Sequence, residues 1–130
     1  MMRYLGIDYG AKRIGVAISD IEGRIAFPRM TIQNRGIPAL IKKLETVVAE
    51  ENISRIVVGL PIGLDGKETE QTRVMQDLIE KLRDAIAIPI EVENEMLTTR
   101  IAEQTSKNKV DESSAAVILQ TYLDRIANRV

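Results

Sequence analysis

Residues 5–19, LGIDYGAKRIGVAIS, decide the fold of this 130-residue chain. Apolar side chains alternate with small or polar ones on both sides of a short YGAK segment, which is the pattern of two strands joined in a hairpin. The first strand is predicted over residues 3–8 and the second over residues 13–19. Asp8 ends the first strand. Because a carboxylate buried at the end of an apolar strand is costly unless a cation meets it, the pattern predicts a functional Asp8.

The composition limits the chemistry that the chain can perform. Hydrophobic residues make up 45% and charged residues 28%, and we expect one domain over residues 1–130. The chain has neither cysteine nor histidine, which excludes disulfides, thiol catalysis, zinc ribbons and the usual histidine base. Hydrolytic chemistry must therefore use carboxylates, hydroxyls, lysines or an oxygen-bound metal ion. No stretch has the roughly 18 apolar residues of a membrane span, and no secretory leader is evident, so we expect a cytoplasmic protein.

The charged residues are unevenly distributed. Residues 1–44 hold eight basic and three acidic side chains, whereas residues 45–95 hold five basic and twelve acidic ones. A local basic patch could bind a polyanion, although the net charge of −1 does not argue for one. An ordinary solvated surface of mixed charge is equally compatible with these counts.

The rest of the sequence predicts an α/β fold. Helical periodicity begins near residue 35, and a nearly continuous apolar run at residues 54–61 predicts a strand buried on both faces. The other predicted elements are a strand within 23–32, bent or at an edge because of Pro28, a helix through 74–86, a strand at 88–92, a short helix near 97–99 and a final helix from Asp111. The order β-β-β-α-β-α-β-α-α indicates a mixed five-stranded sheet flanked by helices.

Three acidic residues stand out by position. Asp8 ends the first strand, Glu95 follows the last strand, and Asp111 opens the final helix. Because ligand sites in such sheets lie at the carboxyl ends of strands, these carboxylates could converge. Like charges packed together need a cation, and an oxygen-only site favours Mg²⁺ or Mn²⁺, a pair of which can drive phosphodiester cleavage. The plainer interpretations are a helix cap for Asp111 and, for Glu95, the end of a solvated strand edge that includes Glu91 and Glu93.

Four segments resemble the YqgF family: GIDYGAKRIGVAISD, IVVGLPIGLDGKETEQT, ENEMLTT and KVDESSAAVILQTYL. They span nearly the whole chain in the family's order. The resemblance implies an RNase H-like fold and a metal-dependent nuclease, described either as processing precursor 16S ribosomal RNA or as similar to Holliday-junction resolvases. It assigns the catalytic, metal-binding positions to Asp8, Glu95 and Asp111, with Mg²⁺ or Mn²⁺ as the cofactor.

The resemblance also implies a loop beside the active site. In this chain the loop corresponds to the motifs VGLP and DG, and its candidate site residues are Gly59, Pro61, Asp65 and Gly66. The implied substrate is structured RNA, in particular precursor rRNA, or branched DNA.

Basic side chains near these motifs are the candidate phosphate contacts. They are Lys12, Arg13, Lys107 and Lys109, and the plainer interpretation of each is an ordinary surface charge. No membrane partner is expected, and a homodimer stays open.

The sequence differs from the family pattern in two places. Asn94 and Met96 stand where family members usually have an acid and an arginine beside the central glutamate, and residues 105–109, TSKNK, form a shorter segment than in relatives. These differences keep open a non-cutting ribosome-assembly module with a vestigial site. A Holliday-junction-resolvase-like DNA endonuclease also stays open. A nucleotide-handling protein similar to actin-like ATPases and sugar kinases is disfavoured, because those enzymes need two domains.

Overall fold

Within the residues that the structure describes, the predicted order of strands and helices agrees with the observed one. The computed structural model describes residues 2–60, 70–94 and 111–127, with the backbone alone at 70–72, 94 and 111–113. In chain order the elements are β1 (Tyr4–Tyr9), β2 (Arg13–Ser19), β3 (Ala26–Gln33), α1 (Ile37–Glu51), β4 (Arg55–Leu60), α2 (Glu70–Ala85), β5 (Ile90–Asn94) and α3 (Asp111–Ala127). The short helix predicted near 97–99 lies outside the described residues. Within them, no helix is long and apolar enough to cross a membrane.

The five strands form one mixed sheet in the order β3-β2-β1-β4-β5. β1 pairs antiparallel with β2 and parallel with β4, and β5 is parallel to β4. The carboxyl ends of β1, β4 and β5 therefore lie at one end of the sheet, together with the start of β2 and the end of β3. We call this end the rim. It comprises Asp8, Tyr9, Arg13, Gln33, Gly59, Leu60, Glu93 and Asn94.

The face of the sheet covered by α1 and α2 holds the larger hydrophobic core. Because side chains alternate along a strand, Leu5 and Ile7 point to this face, while Gly6 and Asp8 point to the other. The buried leucines of the two helices pack here, namely Leu40, Leu44, Leu78 and Leu82. The apolar residues that recur with helical spacing in the sequence are thus the residues that α1 and α2 bury against the sheet.

The opposite face is covered by α3. Its smaller apolar cluster comprises Tyr4, Ala17, Val57, Ala115, Ile118, Leu119, Tyr122 and Leu123. A Cβ at Gly6 would lie 2.8 Å from Leu119 Cβ and 3.1 Å from the Ala115 carbonyl oxygen. Glycine at this position therefore lets α3 approach β1 closely.

β3 is an edge strand that also bends, as Pro28 predicts. Val16 pairs with Met30 and Ala17 with Pro28, so Arg29 is an extra residue and forms a β-bulge. The Arg29 side chain donates to Glu51 Oε1 at 3.2 Å. This contact joins the bulged edge to the last turn of α1.

Several predicted boundaries differ from the observed ones by one to four residues. α1 begins at Ile37 rather than near residue 35, because Gly36 has φ 101° and Pro38 occupies the first turn. β1 ends at Tyr9 rather than at Asp8. Among the other shifts, β5 is found at Ile90–Asn94. α2 begins at Glu70, four residues before the predicted start, and ends at Ala85, so that the buried Ile86 lies just beyond it.

Candidate functional site

Asp8 is the penultimate residue of β1 and lies on the rim. Its side chain is half-buried rather than buried, which corrects the sequence-based prediction. The reason is that the pairing of β1 with β4 ends one residue earlier, at Ile7 and Val58. Asp8 therefore combines a fixed strand position with access to solvent, as a metal ligand or catalytic carboxylate requires.

The register of the parallel strands relates Asp8 to β5. Ile7 pairs with Val58, which pairs in turn with Val92. The next residues of β1 and β5, Asp8 and Glu93, are therefore level with each other across the sheet. Since neighbouring strands are about 4.8 Å apart, β1 and β5 are about 10 Å apart at this level. β5 ends with Asn94 at the same rim that carries Asp8.

α3 begins at the same end of the molecule. Ala115 packs against Gly6, and the ring of Tyr122 contacts that of Tyr4 with centroids 5.9 Å apart. α3 therefore crosses the sheet in the sense opposite to that of β1, and its first residue, Asp111, precedes Ala115 by about one turn on the side of the carboxyl end of β1. The positive end of the helix dipole is thus directed at the rim, where it favours carboxylates and anionic ligands.

The structure places some of the predicted site residues and leaves others outside the described residues. Asp8 is described in full and Asp111 by its backbone, and Gly59 is buried in β4. Among the described side chains no three carboxylates gather as a metal site. The predicted ligand set therefore stays a prediction. The residues outside the described part are Pro61, Asp65, Gly66, Glu95, Lys107 and Lys109.

A tight turn after Asp8 carries two of the predicted phosphate contacts. The Gly10 amide donates to the Arg13 carbonyl oxygen at 3.0 Å, and a Cβ at Gly10 would lie 2.5 Å from that oxygen. The side chains of Lys12 and Arg13 are exposed. The turn therefore presents two cations close in sequence to Asp8.

Asn34 holds this turn in place and was missed by the sequence analysis. Its Nδ2 donates to the Gly10 carbonyl oxygen at 2.8 Å, and its backbone amide donates to the Lys12 carbonyl oxygen at 2.9 Å. Its Oδ1 accepts from the Gly36 amide at 3.0 Å. One side chain thus connects the turn to the start of α1.

A partly buried ion pair between α3 and β5 was also missed. Glu93 is 7% exposed, and both Nε and Nη2 of Arg125 donate to its Oε2, at 3.1 and 2.6 Å. The hydrogen bonds to Glu93 raise the pKa of the Arg125 guanidinium, which also lies over the Tyr122 ring at 5.2 Å. The interpretation of this stretch as a solvated strand edge is therefore wrong for Glu93. The pair ties the last turn of α3 to β5.

Comparison with known proteins identifies the family. The profile of the family described as "RuvX: Holliday junction resolvase" matches residues 2–125. The chain belongs to this family. RuvX is the family that the sequence resemblance names YqgF, so the prediction is confirmed.

Two relatives are similar to the RuvX-family chain over almost its whole length. Both are named "Putative pre-16S rRNA nuclease". The protein from Chloroflexus aggregans is 38% identical, with 95% of this chain and 94% of the relative covered. The protein from Sulfurihydrogenibium sp. is 41% identical, with 98% and 93% covered.

A solved structure supports the predicted RNase H-like fold. The RuvX-family chain resembles RuvC of T. thermophilus, solved in complex with a Holliday junction substrate, with a TM-score of 0.63 at 10% identity. The match covers 98% of this chain and 97% of RuvC. At this identity the likeness shows the shared fold alone.

Proposed function

We propose that this RuvX-family protein is a divalent-metal-dependent nuclease that processes the 5′ end of precursor 16S rRNA during ribosome biogenesis in the cytoplasm. The reaction makes it a hydrolase of phosphodiester bonds. One observation carries the proposal: Asp8, at the carboxyl end of β1, lies on the rim where β5 also ends, and α3, which begins with Asp111, packs through Ala115 against Gly6 of the same strand. The substrate is proposed from the names of the two relatives.

Asp8, Glu95 and Asp111 would hold Mg²⁺ or Mn²⁺. The donor chemistry of this chain fits these ions, because it has no histidine or cysteine and carboxylate oxygens are the ligands that hard divalent cations prefer. When bound, a pair of such ions supplies an activated water and neutralises charge on the scissile phosphate. The half-exposed Asp8 would keep the ions where a nucleic acid can reach them.

The basic side chains would hold the substrate. Lys12 and Arg13 follow Asp8 on a turn that Asn34 fixes, so phosphates bound there would lie beside the carboxylates. Lys107 and Lys109 are proposed for the same role. Their part is to fix the scissile bond at the rim, while the N-terminus of α3 favours the anionic phosphate.

The first test is cleavage of a precursor 16S rRNA 5′ segment by the purified protein. We expect cleavage with Mg²⁺ or Mn²⁺, no dependence on zinc, and complete loss in excess EDTA. A panel of RNA hairpins and four-way DNA junctions is run in parallel. Cleavage of the junctions without cleavage of RNA would contradict the rRNA assignment, and binding without cleavage under all metal conditions would favour a non-cutting assembly module.

The second test is Asp8→Asn, which keeps the shape of the side chain and removes its charge. Because an amide is a weak ligand for a hard cation, we expect metal affinity and cleavage to fall together, cleavage by roughly 1,000-fold, or about 4 kcal/mol. The metal-free melting temperature should hold or rise slightly, since repulsion among carboxylates is relieved. Glu95→Gln and Asp111→Asn should behave in the same way.

Asp77→Asn is the matched control, because Asp77 lies on the exposed side of α2 and pairs with Lys81. It should leave cleavage unchanged. An Asp8→Asn protein that melts much lower without metal yet still cuts would make Asp8 a structural residue and end the proposal.

A further inference from the structure

Several cationic side chains lie around Gln33 at the corner where β3 meets α1. Arg13 pairs with Gln33 across β2 and β3, and Arg35 Nη2 donates to Gln33 Oε1 at 3.0 Å. Lys43 lies with Gln33 and Arg35 on the wall of a shallow cavity of about 220 Å³. We call Lys12, Arg13, Gln33, Arg35 and Lys43 the β3–α1 corner.

Acidic residues are missing from the segments that build this corner. Neither residues 9–19 nor residues 26–44 contain an aspartate or glutamate. In the described parts of the chain, no carboxylate forms an ion pair with Arg35 or Lys43. Arg29, further along β3, differs because Glu51 pairs with it at 3.2 Å. Arg35 and Lys43 therefore give the corner positive charge that the described carboxylates do not neutralise.

We propose that the β3–α1 corner binds the phosphate backbone of a base-paired stem in the RNA substrate. The inference rests on the proposed nuclease function and adds Arg35 and Lys43 to the substrate contacts. Lysine and arginine side chains bind backbone phosphates without reading sequence. A single strand is disfavoured because its binding uses aromatic side chains for stacking, and the corner contains none.

The position of the corner relative to Asp8 suits this role. Asp8 pairs with Gly15 on β2, which pairs with Thr31 on β3, so β3 is about 10 Å from Asp8 across the sheet. Arg13 and Gln33 of the corner lie on the rim together with Asp8. A stem held along β3 and the start of α1 would therefore place its scissile end over β1.

The experiment measures binding without cleavage. A fluorescein-labelled RNA duplex and a DNA duplex of the same sequence are titrated by fluorescence anisotropy in buffer that contains EDTA. The test variant is Arg35→Gln with Lys43→Gln. The control variant, Arg24→Gln with Lys42→Gln, loses the same charge at two exposed positions outside the corner, one of them next to Lys43 on α1. All four side chains are exposed, so both variants should fold, which circular dichroism melts verify.

We expect the test variant to bind the RNA duplex about tenfold more weakly than wild type at 0.1 M salt, and the control less than twofold. The slope of log affinity against log salt should shrink by roughly 1.8 in the test variant, since each lost phosphate contact removes about 0.9. Equal weakening in the two variants would overturn the proposal, as would a loss confined to the DNA duplex.

These outcomes are independent of whether the protein cuts. If the protein never cleaves RNA but the test variant still loses affinity, the proposal that the β3–α1 corner binds RNA is supported and the nuclease proposal is contradicted. If the protein cleaves RNA while the test variant binds like the control, the proposal that the β3–α1 corner binds RNA is wrong and the nuclease proposal is supported.

Discussion

The two faces of the sheet differ in what holds their helices. The face under α1 and α2 is packed with hydrocarbon, including Leu5 and Ile7 of β1 and Leu44 of α1. The face under α3 has a smaller apolar cluster and is bordered by polar contacts, among them the ion pair between Glu93 and Arg125. Hydrocarbon packing is non-directional, whereas hydrogen bonds and ion pairs have a preferred geometry.

This difference assigns separate tasks to the two faces. α3 is held by the Gln120 side chain, which accepts from the Ala26 amide at 2.8 Å and donates to the Arg24 carbonyl oxygen at 2.9 Å. Both Asp8 and Asp111 belong to the side on which α3 lies. We infer that the α1/α2 face mainly supplies stability, and that the α3 face mainly fixes the position of the proposed ligands.

Leu44→Ala tests the role of the α1/α2 face and should have the largest effect on stability. Leu44 is fully buried, so its truncation should lower the free energy of unfolding by about 3 kcal/mol. Cleavage per folded molecule should not change well below the melting temperature. Urea unfolding followed by circular dichroism gives the stability. Val74→Ala, at a position 49% exposed on α2, is the control and should cost little. A cleavage defect in folded Leu44→Ala would contradict the inference that the α1/α2 face mainly supplies stability.

Gly6→Ala tests the α3 face. The new Cβ would overlap Leu119 Cβ and approach the Ala115 carbonyl oxygen, so we expect a loss of about 2 kcal/mol as α3 is displaced. Because Asp111 begins the displaced helix, Mn²⁺ affinity and cleavage at saturating substrate should fall as well.

Leu119→Ala is the matched control for Gly6→Ala, because it loosens the packing of α3 at the same place, by removing the buried side chain beyond Cβ, without overpacking. It should lower stability by a similar amount and leave Mn²⁺ affinity nearer to that of wild type. If the two variants lose Mn²⁺ affinity equally, the loss comes from instability rather than from the position of α3.

Tyr4→Phe gives the smallest expected effect, which is confined to alkaline pH. Burial under α3 raises the pKa of the Tyr4 hydroxyl above its ordinary value of 10.0. The folded state therefore binds this proton more tightly than the unfolded state does, so its stabilising effect is complete below pH 10 and is lost as the pH rises through the raised pKa. Urea midpoints between about pH 9 and 11 should decline more steeply for wild type than for Tyr4→Phe. Parallel declines would contradict this account.

Periodic patterns predicted the elements of the fold, because each pattern reports a local property of its own segment. The alternation in LGIDYGAKRIGVAIS gave β1 and β2, and the spacing of Leu40, Leu44 and Val47 gave α1. The half-burial of Asp8 was not predictable in this way. It depends on where the pairing with β4 stops, which is a property of another strand.

The missed residues depend on contacts between distant parts of the chain. Glu93 and Arg125 are 32 residues apart, and Asn34 is 24 residues from Gly10. No local pattern distinguishes these side chains from solvated ones. The path of α3 across the sheet brings the first pair together, and the position of the β3–α1 connection gives Asn34 its partners.

The bulge in β3 has a consequence for how the protein behaves when it is crowded. An exposed edge strand is a template on which another chain can add a strand and start an aggregate. On β3, Pro28 has no amide to donate, the extra residue Arg29 breaks the regular spacing of donors and acceptors, and its charge disfavours a flat apolar contact. The β3 edge is therefore a poor starting point for intermolecular strand addition and fibril growth.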